Sequence, residues 1–218
     1  MEEEKQKARR HVQVPNSVST NLGSDKKSKT NKQYTDVIIY GFLRKDMVKE
    51  TMTAFVSLRN IAAALQMSVG GITAAVKRLE EAGDIIKVKS KGGKSSNGYQ
   101  FNPHSDKFEM FDHAFLDNTE LSTQNKAFYM LMQPHLYLDA GDGIGKTTYS
   151  DIKISELTGI SKTVVRERRK ELEKLGFVTK RLTTDVNGHS CEALEFNLLK
   201  FQKLQVYLKQ LLEREEKN

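Results

Sequence analysis

The stretch from Ile154 to Val178, ISELTGISKTVVRERRKELEKLGFV, decides the fold that we expect for this chain. A short helix at its start is followed by a glycine turn and by Ser161, whose hydroxyl can cap a second helix by accepting a backbone N–H. That second helix ends at Gly176, a residue suited to the left-handed conformation beyond a helix C-terminus. Phe177 then opens a strand, so the order is helix, turn, helix, strand.

The same order occurs once before, 93 residues earlier in the chain. Residues 61–87 align with 154–180 without a gap, and seven of the 27 paired positions are identical. The shared residues are Ile61/Ile154, Ser68/Ser161, Lys77/Lys170, Leu79/Leu172, Glu80/Glu173, Gly83/Gly176 and Lys87/Lys180. Because the matches include the cap and the glycine stop, we interpret them as an internal repeat of one structural unit.

A β-hairpin is predicted after the second helix of each copy. In the first copy Ile85–Lys89 and Tyr99–Phe101 alternate like strands around the tip SKGGKSSNG. In the second copy Asp185–Gly188 forms the tip, and Ala193–Phe196 returns. A leading helix is also expected in each copy, over Tyr34–Leu43 and over Ser122–Met132 with Ser122 as N-cap.

This arrangement resembles the winged helix-turn-helix superfamily, and stretches of both copies are similar to its bacterial, plasmid and phage members. The resemblance covers about 34–101 and 121–197, and it implies an α+β, mostly helical fold with two tandem winged-helix domains. We therefore assign the domains to 34–103 and 104–218.

One position departs from the family pattern. Arg169 occupies the place of Val76 in the first copy, where the family usually keeps an aliphatic core residue. Either the arginine stem lies along the edge of the core, or the second helix is slightly rotated.

The two ends of the chain lie outside the repeat. Residues 1–33 hold eight Lys and Arg against four Asp and Glu, with few apolar residues, so we expect a disordered basic tail. It is either solvated or a phosphate-contacting arm. The segment Leu198–Glu216 has helical apolar spacing at Phe201, Leu204, Leu208 and Leu211. We favour packing of this helix on the second domain, and a homodimer is the alternative.

The composition favours a polyanionic partner and the cytoplasm. The net charge of +7 and pI near 9.3 favour nucleic acid. Cys191 is the one cysteine, which excludes an intramolecular disulfide and fits a reducing compartment. No apolar run approaches a membrane span, and the N-terminus MEEEKQKARRH lacks the apolar centre of a signal peptide. We expect a cytoplasmic protein without membrane contact.

The stretch Ala140–Thr148, AGDGIGKTT, matches a relaxed phosphate-loop pattern between Ala140 and Thr147. A phosphate loop requires a buried strand before the glycines and a helix directly after them. Here a helix-like segment with Pro134 precedes, and Thr147–Ser150 aligns with the first strand of the other copy. We therefore predict no nucleotide binding.

Other chemistry is scarce, and we expect neither an enzyme nor a cofactor. The histidines lack the spacing of metal ligands; they are His11, His104, His113, His135 and His189. His189 lies close to Cys191, but two ligands do not make a metal site. Carboxylates lie among Lys and Arg on helix faces, which is an ordinary solvated pattern, so no catalytic group is predicted.

The second helix of a helix-turn-helix enters the major groove of DNA, so the resemblance implies contact residues by position. In the first copy they are Ser68, Val69, Gly70, Gly71, Thr73, Ala74 and Lys77. These residues are small and nearly uncharged, which suits close backbone approach and thymine methyl groups but offers no bidentate donor.

The second copy offers a charged set at the matching positions. It consists of Ser161, Lys162, Thr163, Arg166, Glu167, Arg168 and Lys170. Arg166 has the planar fork that binds guanine O6 and N7, and Glu167 can accept from cytosine. The alternative is a charged face that only contacts solvent.

The wings are predicted to contact phosphates or the minor groove. The first wing carries Lys87, Lys89, Lys91 and Lys94, and the second carries Lys180 and Arg181 at its base. Since the second wing has Asp185 at its tip, we expect the first copy to anchor through its wing and the second to read sequence.

These features predict a sequence-specific protein that binds double-stranded DNA, with transcription regulation as the favoured role. A plasmid or phage DNA replication initiator, or another origin-binding protein, is the alternative. A protein-interaction scaffold is a third reading, because winged helices also serve as docking modules.

Overall fold

The computed structural model describes residues 11–20, 32–89, 97–102, 107–138, 144–184 and 190–197. The first part of the chain forms β1 (His11–Pro15), α1 (Asn16–Thr20), α2 (Asp36–Arg44), β2 (Thr53–Val56), α3 (Leu58–Leu65), α4 (Val69–Glu81), β3 (Ile85–Val88) and β4 (Asn97–Phe101). The second part forms β5 (Phe108–Asp112), α5 (His113–Leu116), α6 (Thr123–Met132), a 3₁₀ turn (Gln133–His135), β6 (Tyr137–Leu138), β7 (Ile144–Thr147), α7 (Asp151–Thr158), α8 (Lys162–Lys174), β8 (Val178–Thr184) and β9 (Ser190–Asn197). The fold is α+β, as predicted.

The helix pairs of the two copies begin and end at equivalent positions, as the repeat in the sequence predicts. The helices α3 and α7 each span eight residues, and α4 and α8 each span thirteen, at the offset seen in the sequence. Ser68 Oγ accepts the Gly71 N–H at 3.0 Å, and Ser161 caps α8 in the same way. Beyond these helices Gly83 and Gly176 adopt positive φ, 77° and 71°, which glycine adopts without steric cost.

Each helix pair is followed by an antiparallel hairpin that joins a small sheet. The first sheet has the order β2-β4-β3, and the second has the order β6-β7-β9-β8. Ile85 pairs with Phe101 at the base of the first hairpin, and Val178 pairs with Phe196 at the base of the second. The tips at 90–96 and 185–189, which include Lys91 and Lys94, lie outside the described residues, as does the predicted C-terminal helix.

The predicted leading helices are present as α2 and α6, and they join the two copies. The helix α2 packs against α4 and α6, and α6 packs against α8. Thr123 Oγ1 donates to the Leu65 carbonyl at 2.7 Å, which links the start of α6 to the end of α3. Because the buried apolar residues form one continuous core, the division at residues 103 and 104 stays a prediction from the sequence pattern.

The predicted disorder of residues 1–33 is wrong for the part that the structure describes. The strand β1 pairs antiparallel with β5, and Val12, Val14 and Val18 are buried. The Lys32 ammonium is also buried and lies 2.9 Å from the Asp84 carboxylate. The few apolar residues of this segment suffice because they alternate along a strand that finds a distant partner; residues 1–10 and 21–31 lie outside the described part.

The phosphate-loop match has a packing explanation. Gly145, Lys146 and Thr147 belong to β7, and α7 begins only at Asp151, behind its cap Ser150. The predicted first strand, Thr147–Ser150, is thus three residues too late. A Cβ on Gly145 would lie 2.6 Å from Leu136 Cδ1, so strand packing accounts for this glycine. Residues 140–143 lie outside the described part.

We predict that the wild-type protein binds no ATP and that Lys146→Ala leaves its DNA affinity almost unchanged. A strand residue has no helix N-terminus beside it to hold a phosphate. Isothermal titration with ATP and Mg²⁺ tests the first expectation, and duplex titration tests the second. Stoichiometric, magnesium-dependent ATP binding that Lys146→Ala abolishes would contradict this prediction.

Candidate nucleic-acid interface

Five of the residues predicted on α8 share one exposed face. They border the same open depression at the surface and are Lys162, Thr163, Arg166, Glu167 and Lys170. The opposite face is held in the core, where Val165 and Leu172 are fully buried. Since Lys162, Arg166 and Lys170 follow one another at four-residue spacing, the helical period brings their charges onto one side.

Arg166 is the planar donor on this face, and its side chain is 57% exposed. Its Nε donates to Asp151 Oδ2 at 3.4 Å, a contact from the first turn of α7. Within the described ranges the terminal nitrogens of Arg166 donate no hydrogen bond to protein. The two nitrogens that could face a base edge are therefore available to a ligand.

The structure separates Arg168 from the other predicted contact residues. Its side chain is 15% exposed and points towards α6, where it donates to Asn125 Oδ1 at 3.2 Å. It also donates to Glu171 at 2.7 Å. Tyr34, at the start of the first copy, lies nearby: burial raises the pKa of its hydroxyl, and the charge of Arg168 partly offsets that rise. The hydrogen bonds of Arg168 thus lie within the second copy, and this residue does not belong to the exposed face.

Arg169 resolves the departure seen in the sequence. The helix is not rotated, because Val165 and Leu172 are buried as Ile72 and Leu79 are in α4. Instead, the Arg169 side chain is 13% exposed and pairs with Asp151 and with Glu192. The arginine stem lies along the core edge, and its guanidinium links α7, α8 and β9.

The matching face of α4 is small and mostly uncharged. Ser68 caps the helix, and Thr73 Oγ1 donates to the Val69 carbonyl at 2.8 Å, so both hydroxyls already serve the backbone. Gly70 has open space where a Cβ would be. Lys77 is 75% exposed and lies 3.6 Å from Glu81. With Val69, Gly71 and Ala74 also present, this face offers apolar contact and close approach and lacks an arginine.

The two wings differ in how their cations are paired. Lys87 and Lys89 are exposed, and the described ranges record no ion pair for either. In the second wing Lys180 lies 3.6 Å from both Glu173 and Glu192. Arg181 lies 3.5 Å from Glu195. The described part of the first wing is therefore basic, whereas acids balance the cations of the second.

Sequence reasoning missed Asp151 and Glu192, two acids that form ion pairs with arginines of α8. The repeat contained a signal for the first of them. Position 151 corresponds to Leu58, and position 169 corresponds to Val76, so an apolar pair in one copy is replaced by opposite charges in the other. Such a paired replacement indicates that the two side chains are in contact.

No metal centre or membrane segment is found in the part of the chain that the structure describes. Those ranges contain no group of three or more His, Cys, Asp or Glu placed to hold a metal ion. Burial lowers the pKa of His113 and of His135, which fits histidines packed against protein. Of the helices in these ranges, none is both long and apolar enough to cross a bilayer.

Each helix-turn-helix with its leading helix and hairpin defines a winged helix, so this protein is an α+β protein with two winged-helix units. No protein-family model and no curated protein matches the chain. A solved structure described as "Crystal structure of Pi initiator protein in complex with iteron DNA" is similar at 12% identity and a TM-score of 0.47. The match covers 86% of this chain and 97% of that one. A likeness of this size assigns no function.

Proposed function

We propose that this protein binds double-stranded DNA, reads its sequence through α8 and contacts phosphates through the first wing. The observation that supports this most strongly is the exposed face of α8. Lys162, Arg166 and Lys170 project from the second helix of a helix-turn-helix, the element that enters the major groove in such folds. A helix with this charge fits a polyanion, and an arginine fork fits guanine.

The uneven charge of the two wings supports a division of labour. Lys87 and Lys89 form no ion pair with the residues that the structure describes, so they can exchange hydration and counterions for phosphate oxygens. Lys180 and Arg181 lie close to glutamates, which weakens their field at a phosphate. We therefore assign anchoring to the first wing and base reading to α8 of the second copy.

For the biological role we propose transcription regulation, with replication initiation as the second candidate and no enzymatic activity. The second candidate is favoured by the packing of α2 against α6, which joins two helix-turn-helix units in one chain. A single chain could then place both units on one copy of a repeated DNA site, without a second copy of the protein. Genome-wide footprinting decides between these roles: promoter sites support regulation, clustered repeats near an origin support initiation, and an absence of sites supports a scaffold.

We predict that duplex affinity falls steeply as salt rises, because cations on α8 and the first wing displace counterions from phosphates. A plot of log affinity against log salt should be linear, with a slope that becomes shallower by about 1 for each phosphate-contacting lysine removed. Titrations at several potassium chloride concentrations, on one preferred and one scrambled duplex, measure both slopes. Binding that does not respond to salt would contradict the proposed function.

A further inference from the structure

A single carboxylate from α7 contacts two arginines of α8. Asp151 is 16% exposed, and its Oδ2 accepts from Arg166 Nε at 3.4 Å. Its other oxygen, Oδ1, accepts from Arg169 Nη1. Arg169 in turn reaches Glu192 on β9 at 3.2 Å. Asp151 is therefore fixed from one side by Arg169 and holds Arg166 on the other.

The first copy shows that the fold does not require these charges. At the positions of Asp151 and Arg169 it has Leu58 and Val76. Val76 is buried, and Leu58 packs against the core. The same helix pair thus forms with apolar residues at both positions, so the ion pair in the second copy calls for another explanation.

The atom that Asp151 contacts suits base recognition. A guanidinium that is held through Nε keeps both terminal nitrogens for a second ligand, and those two nitrogens form the fork that matches guanine O6 and N7. An exposed arginine otherwise samples many rotamers, and ordering it on binding lowers affinity. A carboxylate at Nε supplies part of that order before DNA arrives.

We infer that Asp151 is a positioning residue that orients the Arg166 fork towards a guanine edge. This inference rests on the proposed function and names the base that α8 would read. The Asp151 carboxylate also has an opposing effect on DNA binding, because its negative charge repels phosphates. Asp151 should thus weaken binding to DNA in general while it sharpens the preference for one sequence.

The test compares Asp151→Asn with wild type on a preferred and a scrambled duplex at one salt concentration. We expect tighter binding to the scrambled duplex, and a ratio of the two dissociation constants that falls about two- to fivefold, the size of an exposed charge pair. In an Arg166→Ala background the same change should leave the ratio as it is, because Asp151 then has no fork to orient.

Two further variants separate positioning from folding. The double variant Asp151→Leu/Arg169→Val places the first copy's apolar pair in the second copy, so it should keep the fold and lose discrimination as Asp151→Asn does. Glu156→Gln removes a charge from the same helix, where Glu156 pairs only with Lys153 among the described residues. That control should keep the wild-type ratio.

Several results would overturn the inference. Unchanged discrimination in Asp151→Asn, while Arg166→Ala lowers it, would show that Arg166 reads DNA without this carboxylate. Wild-type discrimination in the double variant would show that Asp151 acts only through the fold. A wild-type protein that binds no duplex would instead refute the proposed function, and the inference with it.

Discussion

Removal of residues 1–33 should unfold the protein or cost it most of its stability. The strand β1 and the helix α1 contribute Val12, Val14 and Val18 to the core, where each is at most 2% exposed. Burial of one such side chain is worth about 1.5–3 kcal/mol, whereas a whole domain is stable by about 5–15 kcal/mol. The strand β5 would also lose its hydrogen-bonded partner.

A buried ion pair adds to this loss. Burial raises the pKa of Asp84, and the nearby Lys32 ammonium partly offsets that rise. Without Lys32, the ionised carboxylate would lack its partner in a poorly solvated place, which is strongly destabilising for buried pairs.

Because the raised pKa of Asp84 makes its ionisation costly in the folded state, the free energy of unfolding declines as the pH rises through that pKa. Lys32→Met should enlarge the decline.

Urea unfolding followed by circular dichroism measures this prediction on the full chain and on two truncations. Removal of residues 1–33 should lower the midpoint sharply or abolish the transition. Removal of residues 1–10 alone is the matched control and should leave the midpoint close to that of the full chain. If the chain that begins at Tyr34 unfolds at the wild-type midpoint, then the β1–β5 sheet is dispensable.

The truncation also bears on how a basic arm would be tested. If residues 1–33 acted as a phosphate-contacting arm, the alternative to a solvated tail, their removal would weaken binding to all sequences alike. Since His11–Thr20 is part of the folded core, the larger truncation would confuse lost stability with lost contacts. Removal of residues 1–10 keeps that folded part, so it shows what the first part of an arm contributes to DNA binding.

Arg166→Ala should cost about 1–3 kcal/mol on the preferred duplex and relax the preference at one or two base pairs. The physical reason is the loss of the fork that binds one guanine from an exposed, partly oriented position. Lys87→Ala/Lys89→Ala should behave differently and weaken preferred and scrambled duplexes by similar factors, because phosphates carry no sequence information.

The second wing provides the matched control for this pair of effects. Lys180→Ala/Arg181→Ala removes the same charge from the same kind of element, but glutamates already lie beside both cations. Its effect should be smaller than that of the first-wing variant. All three variants are titrated against both duplexes at one salt concentration. An equal loss on both duplexes for Arg166→Ala would make Arg166 a phosphate contact and move base reading towards Thr73 and Lys77.

The helix-turn-helix units could be predicted because their signals are local. A cap such as Ser68 and a stop such as Gly83 act within one helical turn of the backbone that they satisfy. The apolar period of α4 and α8 likewise depends on neighbours three and four positions away. The order of the helix pairs, their caps and stops and the two leading helices therefore followed from the pattern of residues, whereas α3 and α7 begin three residues earlier than the Ile61 and Ile154 from which the repeat was traced.

The same local signals predicted which face of α8 is exposed, and most of the residues assigned to that face do lie on it. Lys162, Arg166 and Lys170 are exposed where the repeat placed them. Their role in binding DNA stays a prediction, as does that of the α4 face. Lys91 and Lys94 lie outside the described residues, so the charge of the first wing rests on Lys87 and Lys89.

The sequence by itself thus determined two winged helices, their order and the charged face of the second. Tertiary structure decided what depends on partners far apart in the chain: the pairing of β1 with β5, the burial of Lys32 against Asp84, and the contacts of α2 with α6. It also decided that Arg168 turns to Asn125 and Arg169 to Asp151. An amphipathic period indicates which side of a helix is buried, but a long charged side chain is oriented by the carboxylate or amide that lies within its reach, and only the packed chain determines which one that is.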